Sequence, residues 1–210
     1  MARTAAEHGR EVRAKLLTAA AELIPELGWA AVSTRALAAR AGVRAGLVHY
    51  HFRSVQALLR EAAIGVMREQ LAGTAPLWER ADDPETGLGM LLGALDAYTG
   101  DDPTSLLFVE SYLAAGRDEA LRAEMSTVVT EFRRELAGWL DRHGHPTPED
   151  TAAVLAAAVD GVLLHRTLDP ALRTATVLPV LRRLLAPASP RSGAQDDVHV
   201  RTPDEGSHRC

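Results

Sequence analysis

The sequence predicts an all-α protein: an N-terminal three-helix head built on a helix-turn-helix, then a C-terminal helical body, about nine helices in all. Three observations carry this. Apolar residues recur at helical spacing through most of the 210 residues, and no stretch alternates as a half-buried strand would. Helix starts and stops recur, with Ser, Asp-Pro or Thr-Pro where a helix opens and Gly where it closes. Residues 33–54 (Ser-Thr-Arg-Ala-Leu-Ala-Ala-Arg-Ala-Gly-Val-Arg-Ala-Gly-Leu-Val-His-Tyr-His-Phe-Arg-Ser) place two short helices around a Gly-containing turn. A chain of this length buries a large core and holds one or two domains.

Residues 1–8 read as a flexible basic arm. The first helix runs from Gly9 to Leu27, with Val12, Leu16, Leu17, Ala20, Leu23 and Ile24 as its apolar stripe. Pro25 is expected to kink it or end it early, Gly28 to stop it and Trp29 to plug the core. Ser33 caps a second helix whose Leu37, Ala38 and Ala41 share a face, and Gly42 supplies the sharp exit. A third helix, from Ala45 to His51, turns Val48 and then Phe52 inward. Ser54 caps a fourth helix reaching about Ala72. Its stripe (Leu58, Leu59, Ala62, Ala63, Val66, Met67, Leu71) is too wide for an exposed connector, which marks it as a transmission element. The head with this connecting helix spans 9–72.

The body is expected over 73–186, opening with a polar, Pro-containing link from Gly73 to Asp83. Asp83-Pro84 opens a helix through Tyr98, and Asp102-Pro103 another through Ala114. A long helix follows Asp118 and ends at Gly144. Thr147-Pro148 caps and opens one that reaches Leu168, and the last runs from Thr176 to Leu185, with Pro179 tolerated near its first turn. Residues 187–210, rich in Pro, Ser, Gly and charge, read as a disordered tail.

The inward set of the helix-turn-helix leaves Arg44, Ala45, Gly46, Leu47, His49, Tyr50 and His51 around the outer face. That face suits a DNA major groove, where the second helix of such a unit presents its N-terminal residues to base edges. Ala45 and Gly46 let the backbone come close. Thr34 and Arg35 open the preceding helix, where free N–H groups favour a phosphate. An ordinary helical hairpin in an all-α core is the competing reading. Charge favours DNA. Residues 1–60 carry nine Arg or Lys against four acids, while the whole chain has net charge −5. A basic head on an acidic body is the pattern of a nucleic-acid reader.

Other classes find little support. No apolar run reaches the ~18 residues of a membrane span, no secretory leader is seen, and Cys210 has no second cysteine to pair with, so a cytoplasmic protein is expected. There is no nucleophile elbow, phosphate-loop Lys or zinc spacing, and Gly87-Leu88-Gly89 with Gly93 follows no strand, so neither an enzyme nor a cofactor is indicated. His143 and His145 lack a third ligand at suitable spacing, so no metal is expected.

The helix from Thr147 to Leu168 is apolar almost all round. Such a helix is buried on more than one side, either within one subunit or, with the last helix, as half of an intermolecular four-helix bundle.

Residues 10–60 resemble the N-terminal domain of the tetracycline-repressor (TetR) family of bacterial transcription regulators. The matching residues are the helix Leu16-Leu17-Thr18-Ala19-Ala20-Ala21-Glu22-Leu23, Gly28-Trp29, Ser33-Thr34-Arg35 with Leu37-Ala38, Ala41-Gly42-Val43, His51-Phe52, Ser54 and Leu58-Leu59. The chain departs from the family at His49, where Tyr is usual, and at Val55, where Lys is usual. Both commonly contact phosphate, and Tyr50 and Arg53 stand in for them. The resemblance implies double-stranded operator DNA as partner. It also implies a homodimer through the last two long helices, with Leu155, Val159, Val162, Leu163, Val177, Leu181 and Leu184 at the interface. It further implies an effector pocket among the middle helices. Its candidates are Trp78, Tyr98, Phe108, Tyr112, Phe132 and Trp139, with Asp96, Glu110, Asp160 and His165 as polar anchors. The expected activity is that of a repressor which releases a palindromic operator when an unidentified small molecule binds. Plain core and surface is the competing reading for each pocket residue.

Overall fold

The computed structural model describes residues 5–185, apart from the side chains of Ala5, Ala75, Trp78 and Glu79. These residues form α1 (Ala5–Leu27), a 3-10 turn (Trp29–Ala31), α2 (Thr34–Ala41), α3 (Gly46–His51), α4 (Val55–Ala72), α5 (Ala75–Arg80), α6 (Pro84–Leu95), α7 (Pro103–Ala115), α8 (Glu119–Arg142), α9 (Pro148–Arg166) and α10 (Thr174–Leu185). No strand occurs among the described residues, and no helix is long and apolar enough to cross a membrane.

The caps explain most boundaries. Ser33, Ser54, Asp83, Asp102 and Asp118 each accept a hydrogen bond from the backbone N–H three residues on. Gly42 ends α2 at φ 66°, which lets Val43 N–H reach back to the Ala38 carbonyl at 3.0 Å. Gly144, at φ 73°, does the same after α8.

Several boundaries differ from the sequence reading. α1 already starts at Ala5, so the end of the expected arm is helical; residues 1–4 and the tail expected over 187–210 lie outside the described residues. α1 also continues past Pro25 to Leu27. Pro25 sits in the last turn, so its missing N–H costs one bond, and Gly28 N–H still reaches the Ile24 carbonyl at 2.9 Å. The expected link after Gly73 contains α5, the additional helix. Thr147 makes no side-chain cap; its hydroxyl pairs with that of Thr151 instead.

α6 stops at Leu95 and α10 starts at Thr174 for a shared reason. Arg166, 4% exposed, donates to the carbonyls of Leu95, Tyr98 and Leu172 and to the Asp96 carboxylate at 2.7 Å. The Thr174 N–H and hydroxyl bond Asp96 and the Leu92 carbonyl. One guanidinium thus ties together the ends of α6 and α9 and the start of α10. The earlier start of α10 leaves Pro179 in its second turn.

Two apolar cores result. The first joins the head to the body. Leu16, Ile24, Leu37, Val48, Leu58 and Leu59 pack with Leu107 of α7 and Leu121, Met125 and Val128 of α8. The second gathers Leu88, Leu91 and Leu92 of α6, Phe132, Leu136, Trp139 and Leu140 of α8, Ala152, Leu155, Ala156 and Val159 of α9, and Leu181 of α10. The packing divides within α8, although the change in sequence pattern falls near Gly73.

Candidate functional site

The helix-turn-helix is built as its sequence indicates. Leu37, Ala38, Val48 and Phe52 are buried and seat α2 and α3 on α1 and α4. Trp29 is 7% exposed, and its indole N–H donates to Gln56 Oε1 on α4 at 2.8 Å. The outer surface displays Arg35, Arg44, Ala45, Gly46, His49, Tyr50 and Arg53, all exposed, with Tyr50 at 80%. Thr34 is half-buried, and its hydroxyl lies 3.5 Å from His49 Nε2, so the start of α2 and the middle of α3 form one continuous face.

Two expected contact residues turn away from that face. Leu47 is half-buried and packs on the head core. His51 is half-buried and faces α1, where its ring approaches Gly9. The reason is helical spacing: residue 51 lies three after the buried Val48 and four after Leu47, on the same side of α3. His51 lines a groove of about 380 Å³ with Arg13, Phe52, Arg53, Ala57, Arg60, Glu61 and Glu124.

The basic excess of the head divides into two sets. Arg13 pairs with Glu61 and lies 4.9 Å over the Phe52 ring. Arg40 pairs with Glu22 and Glu26 of α1; that contact draws the Glu26 carboxyl below its usual range. Arg60 of α4 pairs with Glu124 of α8 at 3.0 Å and with Asp118 at 3.6 Å. These three fasten helices together. Arg35, Arg44 and Arg53 make no ion pair among the described residues and stand free to meet phosphate.

Among the described residues the candidates for the effector pocket do not line one common cavity. Phe132 (8% exposed) and Trp139 (2%) are plain core of the second cluster, and Phe108 packs on the first. Tyr98 donates its hydroxyl to Gln70 of α4. The Trp78 side chain lies outside those described. His165 is exposed at the edge of α9. Asp96 is taken by Arg166 and Thr174, and Glu110 faces the head. The space beside Trp139, between α6, α8, α9 and α10, holds about 10 Å³, room for no more than about one water.

What does converge is a polar cluster of Tyr112 (α7), Arg133 (α8) and Asp160 (α9). Tyr112 donates to Asp160 Oδ2 at 2.8 Å. Asp160 is exposed as a residue, yet the side chains around its carboxyl strip enough water to raise it above its usual range, against the opposing pull of the Tyr112 hydrogen bond and the Arg133 charge. Burial and the Asp160 charge also push the Tyr112 phenol upward. Arg133 Nε is buried without a hydrogen-bond partner among the described residues. The sequence reading found Tyr112 and Asp160 but missed Arg133, whose place on an amphipathic helix resembles that of any surface Arg.

The interface candidates also sort differently. Leu155, Val159 and Leu181 are buried within the subunit, and Val162, Leu163 and Val177 are partly so. Leu184 is exposed at 40%. The open apolar side carries Val154 (52%) and Leu164 (55%) on α9, Leu168 (81%) in the turn after it and Val180 (57%) on α10, with Ala157 and Gly161 completing the α9 stripe.

Comparison with known proteins agrees with this architecture. Residues 16–62 match the domain described as bacterial regulatory proteins, tetR family, and residues 82–187 match the tetracyclin repressor-like C-terminal domain. An uncharacterised HTH-type transcriptional regulator of Mycobacterium tuberculosis is 28% identical over 77% of this chain and 84% of its own length. The crystal structure of a transcriptional regulator from Streptomyces coelicolor A3(2) is 30% identical, with a TM-score of 0.68 over 84% of this chain and 99% of that one. The multidrug-binding protein EbrR is 29% identical, with a TM-score of 0.62 over 85% and 97% of the two chains. With both halves matched in sequence and the helix-turn-helix exposed as a reading head, the chain belongs to the TetR family of bacterial transcriptional regulators.

Proposed function

We propose that this regulator is an effector-responsive repressor. In this reading a two-fold dimer sets two α3 helices in successive major grooves of a palindromic operator, and a small molecule in the body releases it. The observation that carries the DNA half is the continuous exposed face of Arg35, Arg44, Ala45, Gly46, His49 and Tyr50 on a closed core, with Arg35 and Arg44 in no ion pair among the described residues. In this reading Ala45 and Gly46 bring the backbone near the bases, His49 meets base edges, and Arg35, Tyr50 and Arg53 meet phosphates.

The dimer follows from the open side of α9 and α10. Val154, Ala157, Gly161 and Leu164 recur three and four apart, the spacing of a helix-packing seam, and Leu168 follows in the turn after α9. In this reading a second copy covers this face and the two heads meet the two half-sites of the palindrome. The effector half draws on the buried Arg133 Nε, a donor awaiting an acceptor beside Tyr112 and Asp160. Among similar proteins, EbrR was solved with imidazole bound. A ligand acts only through its different affinity for the two head poses.

The test is selection of bound sequences from random duplex DNA at two salt concentrations. A recovered palindrome whose affinity falls with salt is expected, with half-sites one helical turn apart. Enrichment of no sequence would refute operator reading, and a single unrepeated half-site would refute the dimer.

A further inference from the structure

The connecting helix α4 is the covalent route from body to head, yet the structure contains a second, non-covalent one. Glu110 of α7 accepts a hydrogen bond from the Trp29 backbone N–H at 2.8 Å. Its carboxylate covers Gly28, which sits at φ 80°; a Cβ there would lie 3.5 Å from Glu110 Oε2. Trp29 begins the 3-10 turn that leads directly into Ser33, the cap of α2. Glu110 therefore grips the chain four residues before the helix-turn-helix.

Two residues further along α7, Tyr112 grips α9 through Asp160. Residues two apart on a helix point about 200° from each other, so these two contacts leave opposite sides of α7. Between them Ser111 is fully enclosed, its hydroxyl turned back to the Leu107 carbonyl. α7 also packs along α1 and the 3-10 turn on one side and α8 and α9 on the other. A rotation of α7 carries both residues with it, because Leu107 and Ser111 are enclosed in the core, while the Tyr112–Asp160 contact itself lies at the surface.

We infer that α7 is a strut, parallel to α4, that fixes the pose of the helix-turn-helix, with Glu110 as its head-side positioning residue and Tyr112–Asp160 as its anchor on α9. The inference rests on the operator reading proposed above for its consequence in DNA binding. The strut itself is read without DNA.

The experiment uses the full chain in five forms: wild type, Glu110→Ala, Glu110→Gln, Tyr112→Phe and the double variant Glu110→Ala with Tyr112→Phe. Backbone hydrogen exchange of residues 29–33 is measured in the free protein. Glu110→Ala speeds exchange there by about tenfold, the loss of one charge-assisted bond, while Glu110→Gln keeps an acceptor and stays near wild type. The decisive variant is Tyr112→Phe, which removes one hydroxyl on the far side of α7 and touches nothing in the head. Faster exchange at residues 29–33 in this variant supports the strut; unchanged exchange there overturns it. On the palindrome selected by the wild type, Glu110→Ala shifts or broadens the preferred half-site spacing. Its effect does not multiply with that of Tyr112→Phe, because the two act through one element. An unaltered spacing preference, or simple multiplication, also overturns the strut. If the wild type selects no sequence, the operator reading fails by itself, and the exchange result still decides the strut.

Discussion

Leu16, Leu37, Leu58 and Leu121 are wholly enclosed in the core beside the helix-turn-helix, whereas the helices of the distal core leave Val154, Leu164, Leu168 and Val180 more than half exposed. The head-side core is closed within one chain: α2 and α3 sit on α1, and α7 and α8 close the other side of α1 and α4. The distal core is closed on its inner side by α6 and α8 and open on its outer side. The difference separates two jobs. A reading head needs a fixed shape, and a closed core provides it. An open apolar flank is what a second subunit needs, and α8, which contributes Leu121 to one core and Leu140 to the other, joins the two.

The largest effect expected from a single change is in the distal region. Arg166→Ala leaves Asp96 and three carbonyls without their shared donor; Asp96 is 36% exposed and keeps its bond from Thr174, so the cost is that of lost hydrogen bonds to a charged group, about 1.5–3 kcal/mol. The urea midpoint should fall accordingly. Hydrogen exchange should rise first at residues 95–100 and 166–174, with α1 to α4 still protected. If head amides lose protection in parallel, the two cores unfold as one and the comparison drawn above fails.

A smaller effect tests how tightly the inner side of the distal core is closed. Gly87 of α6 sits against the Trp139 ring, and a Cβ at that position would lie 2.4 Å from it. Gly87→Ala therefore overpacks the α6–α8 contact, at about 1–3 kcal/mol. The expected readouts are a lower melting temperature and a shifted Trp fluorescence spectrum. A variant as stable as the wild type would mean that α6 moves freely on α8, and that the 10 Å³ space beside Trp139 opens readily.

The two regions also differ in how far they were legible from sequence. Ser33, Gly42, Val48 and Ser54 signal through local chemistry, a cap, a positive φ and a spacing, and each stands where its type predicts. The head was therefore readable almost residue by residue, except that Leu47 and His51 share the inner side of α3. α9 offered no such guide. A helix apolar all round does not say which side its own subunit covers, and only tertiary packing sends Leu155 and Val159 inward and Val154 and Leu164 outward. Arg166 was hidden for a related reason. At the end of α9 it reads as a helix-terminal cation, and its three carbonyl partners lie on segments distant in sequence or irregular in shape.

The smallest effect separates the closed and open regions by pH. Burial raises the Asp160 carboxyl, so the folded chain holds that proton more tightly than the unfolded chain does. Below the ordinary carboxylate pKa of about 3.9 both states are protonated and the group costs nothing. As pH rises through that value the unfolded chain ionises first and stability is lost, and the loss is complete above the raised folded value. Asp102 works in the opposite sense: burial raises it, but the hydrogen bonds from Ser105, Thr99 and Gly100 outweigh burial, so its stabilisation is present above the ordinary value and fades as pH falls. Asp160→Asn keeps an acceptor for the Tyr112 hydroxyl and removes the charge. Urea midpoints across pH 3–8 should show the variant more stable than the wild type at neutral pH, with the advantage vanishing toward pH 3. An advantage that stays constant over that range would mean that packing, and not ionisation, sets it. Because Asp160 borders the exposed stripe of α9, a second subunit seated there removes more water from the carboxylate. The neutral-pH advantage of the Asn variant should therefore grow with protein concentration if that stripe is the seam between subunits, and stay flat if it is not.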